Sequence, residues 1–225
     1  MKARPFVHVT GPERAGKTTF VEQVLRASGR MLLAVHCALD DRLRRPRETA
    51  PRRHAEIERY REAGATHAVE YRFPRSHADF DAFYATRFMD EYSEGVVLEG
   101  DLPVEWVDLG VFVAPPLPAG ATLLRCFRRD PAREHWAVAD AYQGIERAQV
   151  VVVNVREPRD RPSAQRLLAD LVRIRTDEVV ARDVLRRRGS RVQITAVAAN
   201  LADARDPGLK KALRRVERAL ARVDV

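Results

Sequence analysis

Cysteine is scarce in this sequence: Cys37 and Cys126 are its only two among 225 residues. Two isolated cysteines without a Cys-x-x-Cys pair exclude a disulfide framework. Apolar runs of membrane-spanning length are lacking too, and the start MKARPFVHVT has no apolar core of the secretory kind. We therefore expect a cytoplasmic chain that does not cross a membrane. Its length suits a single α/β domain over residues 1–225.

Lysine is the next scarce residue, since only four of the 40 basic residues are lysines and the rest are arginines. The net charge is +8 and the isoelectric point is near 10.1. A basic balance can indicate nucleic acid or an anionic small molecule as partner. The arginines are, however, interleaved with Asp and Glu, and no set of aromatic residues for stacking bases accompanies them. The composition therefore favours solvated helix faces over nucleic-acid binding.

Apolar segments of strand length alternate with helical patterns along the whole chain. The run Val150–Val153 is β-branched throughout, which is typical of a parallel strand buried on both faces. Asp206 and Pro207 predict the N-cap and first turn of a last helix. The alternation predicts a three-layer α/β domain with a mostly parallel sheet. Strands are predicted at 6–10, 31–36, 68–72, 95–99, 109–113, 150–154 and 191–195, an apolar segment at 122–127, helices at 17–28, 53–63, 78–91, 131–147, 163–188 and from 207, and a polar loop at 40–53.

The first predicted strand leads directly into a glycine-containing loop of the GxxxxGK[ST] type. Glycines let backbone N–H groups turn inward around phosphates, and the following helix adds the positive end of its dipole. Lys17 would reach the β- and γ-phosphates, the Thr18 hydroxyl would ligate Mg²⁺, and Thr19 could contact the α-phosphate. We therefore predict a P-loop NTPase domain that binds a nucleoside triphosphate with Mg²⁺. The loop consists of Gly11, Pro12, Glu13, Arg14, Ala15, Gly16, Lys17 and Thr18.

Magnesium needs a carboxylate from a strand beside this loop. Glu99 ends the buried segment Gly95–Glu99, at the edge where open α/β sheets bind ligands. Asp40 and Asp41 follow the second strand, and either could hold Mg²⁺ or orient the attacking water. Solvation of the loop explains these two aspartates equally well. The predicted catalytic set is Lys17, Asp40, Asp41 and Glu99, and the predicted metal ligands are Thr18, Glu99 and Asp40.

The base-binding residues are predicted from a partial match to the Asn-Lys-x-Asp pattern of G proteins. Asn154 follows the Val150–Val153 run and Glu157 stands at the position of the acid, whereas Val155 replaces the lysine. Thr195 and Ala196 resemble the Ser-Ala loop that supports guanine in such proteins. These four residues favour GTP over ATP, although Asn154 could instead serve only as a turn residue.

Three motifs in the first half resemble the molybdopterin-guanine dinucleotide biosynthesis protein B family of P-loop GTPases. They are the P-loop through Thr19, the segment Arg61–Ala65 and the strand ending Leu98-Glu99-Gly100. The resemblance covers residues 5 to 115 and implies a small GTP-binding partner of the enzyme that attaches GMP to molybdopterin. It departs from the family at Ala34–Cys37, where the family has a histidine-rich stretch.

The second half is different, because its helix, valine strand and Asn154 resemble the nickel-insertion GTPases of hydrogenase and urease maturation. Together the two resemblances imply a slow GTPase that assists molybdenum-cofactor biosynthesis or, alternatively, metallocentre assembly. Such proteins act with a maturation protein as partner, and many form homodimers across the nucleotide site. The lysine that this class carries after the first P-loop glycine is Pro12 here.

Two further functions stay open at this stage. The nucleotide pocket could serve a non-hydrolysing adaptor, or a small-molecule kinase whose lid is the arginine-rich segment 42–53. His36 and Cys37 could also ligate a metal, but two adjacent residues at a strand end do not make a site, and cysteine is often a small core residue.

Overall fold

The computed structural model describes residues 4–40, 42–43, 47–49, 55–74, 93–100, 107–117, 142, 145, 148–176 and 195–221. Contacts between Cα atoms divide the chain into two compact units. The first contains Met1–Thr10, Lys17–Gly110 and Leu213–Val225, and the second contains Gly11–Gly16 and Val111–Ala212. The expectation of a single domain over 1–225 stays a prediction.

The described residues of the first unit form five strands in the order β3-β4-β2-β5-β1. All neighbouring strands are parallel except β3 and β4, which are antiparallel. The register places His36 beside Glu99 and Val9 beside Glu99, so three strands deliver residues to one edge. The elements are β1 Phe6–Thr10, α1 Lys17–Ser28, β2 Leu32–Leu39, β3 Arg47–Thr49, α2 Ala55–Glu62, β4 His67–Phe73 and β5 Gly95–Glu99.

Alternation along these strands gives the sheet of the first unit two apolar faces. Helix α1 packs on β1 and β5, and α2 packs on β2 and β4 as well as on α1. The opposite face carries a separate apolar cluster. Its buried members are Phe6, Leu33, Val35, Cys37, Tyr71, Phe73, Val96 and Leu98.

In the described part of the second unit there are three parallel strands, β6 Leu109–Ala114, β7 Val150–Asn154 and β8 Thr195–Ala199. The first two residues of β6 belong to the first unit. All four valines of β7 are fully buried, as the β-branched run predicts. Helix α3, Arg161–Thr176, contacts β7 and β8 and contributes Ala164, Leu167 and Leu171 to the core. Helix α4, Pro207–Leu220, contains residues of both units.

The predicted fold class, a three-layer α/β P-loop domain with a mostly parallel sheet, is confirmed. Helix α4 begins as expected, because Asp206 Oδ1 accepts hydrogen bonds from the backbone N–H groups of Gly208 and Leu209. The predictions at 78–91, 122–127 and 131–147 lie outside the described residues.

Two sequence predictions are corrected. The polar loop at 40–53 contains the strand β3, whose sequence Arg-Glu-Thr gives no apolar alternation to signal it. The last strand runs on to Ala199 instead of ending at Thr195. Its alanine-rich second part lacks the β-branched residues by which strands are recognised.

Candidate functional site

The P-loop backbone has the glycine-dependent shape expected for phosphate binding. Gly11 has a φ of +137°, and a Cβ there would lie 2.1 Å from the carbonyl oxygen of Val113. Gly16 has a φ of +107°, and its Cβ would lie 2.6 Å from Asn154 Nδ2. Arg14 adopts a φ of +60° without being glycine. Both glycines are therefore required by backbone conformation and by close neighbours.

Helix α1 begins at Lys17, immediately after the loop. Its first N–H groups have no partner within the helix, so this end attracts anions. Thr19, in the same first turn, accepts a hydrogen bond from the guanidinium of Arg59 at 3.3 Å. Arg59 also pairs with Glu22, one turn further along α1. Helix α2 is thereby tied to the beginning of the P-loop helix.

Glu99 lies at the end of β5 and is only 3% exposed. Its Oε1 accepts a hydrogen bond from the Thr18 hydroxyl at 2.9 Å, and its Oε2 accepts one from the Tyr60 hydroxyl. His36 Nδ1 lies 3.9 Å from Oε1. The structure thus brings together Thr18 and Glu99, two of the three residues that the sequence predicts as metal ligands.

This carboxylate has no basic partner from lysine or arginine among the described contacts, although a buried charge is costly unless it is compensated. Burial and the neighbouring Glu99 carboxylate raise the pKa of Tyr60 well above its ordinary value of 10.0, so Tyr60 is a neutral hydrogen-bond donor. A hydroxyl oxygen and a carboxylate oxygen are ligands that suit Mg²⁺. The donor set therefore fits a magnesium ion beside Thr18.

Of the two aspartates in the predicted catalytic set, the structure describes Asp40. Asp40 lies 3.7 Å from Arg72 through Oδ2, and its Oδ1 accepts a hydrogen bond from the backbone of Arg42 at 3.0 Å. These contacts are typical of an aspartate that closes a turn. Asp41 lies outside the described residues, and a role for either aspartate in catalysis stays a prediction.

Asn154 ends β7 and is 6% exposed. Its amide group donates a hydrogen bond to the carbonyl oxygen of Ala15 at 2.8 Å. The guanidinium of Arg156 donates to the carbonyl of Arg14, the residue with the positive φ. Val155, which replaces the lysine of the G-protein pattern, is buried in the core instead. The segment after β7 therefore fixes two consecutive P-loop carbonyl groups.

Glu157 lies in an exposed turn and pairs with Arg159 at 2.6 Å. The turn is held by Asp160, whose Oδ2 accepts hydrogen bonds from the backbone N–H groups of Arg156 and Glu157 at 3.2 and 3.0 Å. The Glu157 side chain is 54% exposed, so it is accessible to a ligand. Recognition of guanine by Glu157 stays a prediction.

Thr195 and Ala196 occupy a different place from the one predicted. They begin strand β8, beside Val150 and Val151, whereas Asn154 lies beside Ala199 at the other end. A guanine-supporting loop at Thr195 and Ala196 is therefore wrong, since those residues form a regular strand remote in register from Asn154.

The loop that does follow β8 begins at Asn200, whose Oδ1 accepts a hydrogen bond from the backbone of Ala202 at 3.0 Å. Leu201, in the same loop, is 1% exposed. A Cβ on Gly16 would come within 3.1 Å of its Cδ1. Leu201 thus packs against the P-loop. The sequence could have indicated this contact only if the end of β8 had been predicted at Ala199.

His36 and Cys37 do not act as a pair. Alternation along β2 places Cys37 in the apolar cluster of one face, while His36 lies beside Glu99. Cys37 is thus a buried core residue. Sequence reasoning missed Tyr60 and Arg59, because their contacts with Glu99 and Thr19 join residues about forty positions apart.

Two features are absent from the part of the chain that the structure describes. No cluster of three or more His, Cys, Asp or Glu side chains there could hold a metal ion. None of the helices in that part of the chain has both the length and the apolar character needed to cross a bilayer.

The fold class is that of a P-loop NTPase domain. Neither protein-family models nor curated proteins match the sequence. Similar solved structures include HypB from Helicobacter pylori in complex with nickel, with 10% sequence identity and a TM-score of 0.48, covering 96% of this chain and 87% of that chain. A similarity of this size assigns no function. The resemblance of the first half to the molybdopterin-related family and that of the second half to nickel-insertion GTPases both stay predictions.

Proposed function

We propose that this chain binds a nucleoside triphosphate with Mg²⁺, prefers GTP to ATP, and hydrolyses it slowly. The observation that supports this most directly is the buried Glu99 carboxylate, hydrogen-bonded to Thr18 at 2.9 Å, one residue after the P-loop lysine. A phosphate-binding loop and a carboxylate without a lysine or arginine partner among the described residues are two parts that a Mg²⁺–triphosphate site requires.

Each residue of the site has a defined task in this proposal. The backbone N–H groups of the loop and Lys17 bind the phosphates and orient the triphosphate. The Thr18 hydroxyl and the Glu99 carboxylate would hold Mg²⁺, and Tyr60 fixes the carboxylate through its second oxygen. When bound, Mg²⁺ neutralises the charge that develops on the β- and γ-phosphate oxygens. No arginine is assigned to stabilise the transition state, so we expect slow intrinsic hydrolysis.

Hydrolysis is tested by a single-turnover measurement with radiolabelled GTP and Mg²⁺. We expect phosphate release that is slow, requires Mg²⁺ and is lost without the cation. Tight GTP binding with no release over many hours would instead indicate the non-hydrolysing adaptor. Transfer of the phosphate to an added metabolite would indicate the kinase.

The preference for guanine depends on Asn154 and Glu157. Asn154 is held against the P-loop through Ala15, and Glu157 is accessible three residues further on. If Glu157 accepts hydrogen bonds from guanine N1 and N2, the variant Glu157→Ala should lose about tenfold or more in GTP affinity, because hydrogen bonds to charged groups contribute about 1.5–3 kcal/mol. ATP affinity should be nearly unchanged in competition binding. Equal affinity of the wild type for GTP and ATP would contradict guanine recognition, and Asn154 would then serve only to hold the P-loop through Ala15.

The cellular task that we propose is that of an accessory GTPase in the assembly of a metal centre. It rests on the resemblance of the second half to nickel-insertion GTPases, and it implies a metalloenzyme-maturation protein as partner and a homodimer as the active form. Deletion of the gene from its host should lower the metal content of nickel enzymes. Loss confined to molybdenum-cofactor enzymes would favour the molybdopterin-related alternative.

A further inference from the structure

The Nδ1 atom of His36 is a buried polar atom that the site described so far does not use. His36 lies on β2 in register with Glu99 of β5, so the two side chains share one face at the same edge of the sheet. Its Nδ1 is buried and has no hydrogen-bond partner among the described residues. Such atoms are uncommon, because a buried polar group without a partner loses its hydrogen bonds to water and gains none from the protein. The atom therefore points to a ligand.

The distance from Nδ1 to Glu99 suits a water molecule as that ligand. Nδ1 and Oε1 are 3.9 Å apart, which is too long for a direct hydrogen bond. It is a suitable separation for one water molecule that makes a hydrogen bond of about 2.8 Å to each atom. The Tyr60 hydroxyl holds the other carboxylate oxygen, so Oε1 is the oxygen that remains directed towards Thr18 and His36.

The hydrogen-bonding capacity of the two atoms orients this water. A carboxylate oxygen only accepts, and Nδ1 accepts in the tautomer that carries its proton on Nε2. A water between them donates both hydrogens, which leaves the lone pairs of its oxygen for a cation. Mg²⁺ retains several water ligands and prefers oxygen to nitrogen. A bridging water thus lets an imidazole take part in the site without ligating the metal.

We propose that His36 is a positioning residue of the cation site, where Nδ1 and Glu99 Oε1 together orient a water ligand of the Mg²⁺ held by Thr18. This rests on the proposed function, since it requires Mg²⁺ and a nucleotide at this P-loop. It adds a residue that the GxxxxGK[ST] pattern does not include.

The test uses Mn²⁺ as a paramagnetic substitute for Mg²⁺ on the full chain with GTP. The affinity for Mn²⁺ and the pulsed electron paramagnetic resonance spectrum are recorded for the wild type, His36→Ala and His36→Asn. His67→Ala is the control, because His67 is exposed at the start of β4. We expect a weak ¹⁴N coupling in the wild type, below that of a directly bound imidazole. In His36→Ala this coupling should vanish and Mn²⁺ should bind about tenfold more weakly.

The asparagine variant provides the rescue, since its amide oxygen can take the place of Nδ1 and should restore most of the Mn²⁺ affinity. If His36→Ala does not fold, the comparison of His36→Asn with His36→Leu, which has a similar shape but no acceptor, decides the matter. Wild-type affinity in the alanine or leucine variant would overturn the role of His36 while leaving the proposed function intact. A strong ¹⁴N coupling would show direct ligation and overturn the bridging water. Absence of GTP binding by the wild type would overturn the proposed function as well.

Discussion

Glu99 is the residue from which the chemistry of the site follows. It is 3% exposed and its described partners are the hydroxyls of Thr18 and Tyr60, with His36 nearby at 3.9 Å. Hydroxyl groups can satisfy the lone pairs of a carboxylate but cannot neutralise its charge. A divalent cation held beside Thr18 would neutralise that charge.

The first prediction at this scale is that Glu99→Gln weakens the binding of Mg²⁺ much more than the binding of the nucleotide itself. The amide keeps the shape of the side chain but removes the charge. We expect the Mg²⁺ concentration needed for half-maximal GTP binding to rise about tenfold or more. Glu62→Gln is the control, because Glu62 is an exposed glutamate at the end of α2. Identical Mg²⁺ dependence of the wild type and Glu99→Gln would remove Glu99 from the site.

Tyr60 gives a prediction about stability at alkaline pH. Its pKa is raised above 10.0 in the folded protein, chiefly by burial and then by Glu99. Above pH 10 the unfolded chain therefore releases this proton while the folded chain retains it. The stabilisation is complete below that pH and is lost as pH rises, by up to about 1.4 kcal/mol per pH unit from this group.

Tyr60→Phe should remove that contribution. We expect the free energy of unfolding, measured by urea denaturation, to fall less steeply with pH above 10 in the variant than in the wild type. At neutral pH the variant should be less stable by about 1–3 kcal/mol, because Oε2 of Glu99 loses its donor. Parallel curves above pH 10 would contradict the buried, neutral state of Tyr60.

At the scale of elements, the P-loop is held by the segments that follow β7 and β8. Asn154 binds the carbonyl of Ala15, Arg156 binds that of Arg14, and Leu201 packs against Gly16. The loop is therefore preformed by its neighbours, which reduces the ordering that a phosphate must otherwise impose.

Two glycines allow this support to be measured. Gly16 and Gly64 have nearly equal φ angles of +107° and +101°, but a Cβ at Gly64 would meet nothing within 4 Å. Both alanine variants place a Cβ at a similar positive φ, whereas only Gly16→Ala brings that Cβ against Asn154 and Leu201. We expect Gly16→Ala to lose GTP binding and to be less stable than Gly64→Ala. Equal effects in calorimetry and thermal denaturation would show that the contacts around Gly16 do not shape the loop.

The extent to which sequence predicts structure also differs between elements. The P-loop, the strand of Glu99 and the valine strand are predicted correctly because each has a local signal: a glycine pattern, an acid after an apolar run, and β-branched residues. The predicted loop at Thr195 and Ala196 is wrong, because the alanine-rich strand β8 has no such local signal. Tyr60 and Arg156 could not be predicted, since their roles depend on contacts between segments distant in sequence.

At the scale of the whole molecule, the arginine-rich composition and the net charge of +8 fit an anionic ligand without identifying it. We base the proposal of a nucleotide ligand on the P-loop pattern of the sequence and on the buried Glu99 carboxylate at the end of a parallel strand. Open α/β sheets bind ligands at this edge. The central claim is therefore that the P-loop of this chain binds a nucleoside triphosphate.

The most direct test is isothermal calorimetry of Mg²⁺·GTP and Mg²⁺·ATP binding to the wild type and to Lys17→Ala. Lys17 begins α1 after the loop, so its loss should remove contacts to phosphate without disturbing the core. Lys210→Ala, a change at an exposed position of α4, is the control. We predict binding of GTP with higher affinity than ATP by the wild type and the control, and no detectable heat with Lys17→Ala. Unchanged affinity in Lys17→Ala, or no binding of either nucleotide by the wild type, would contradict the assignment of this loop as a nucleotide site.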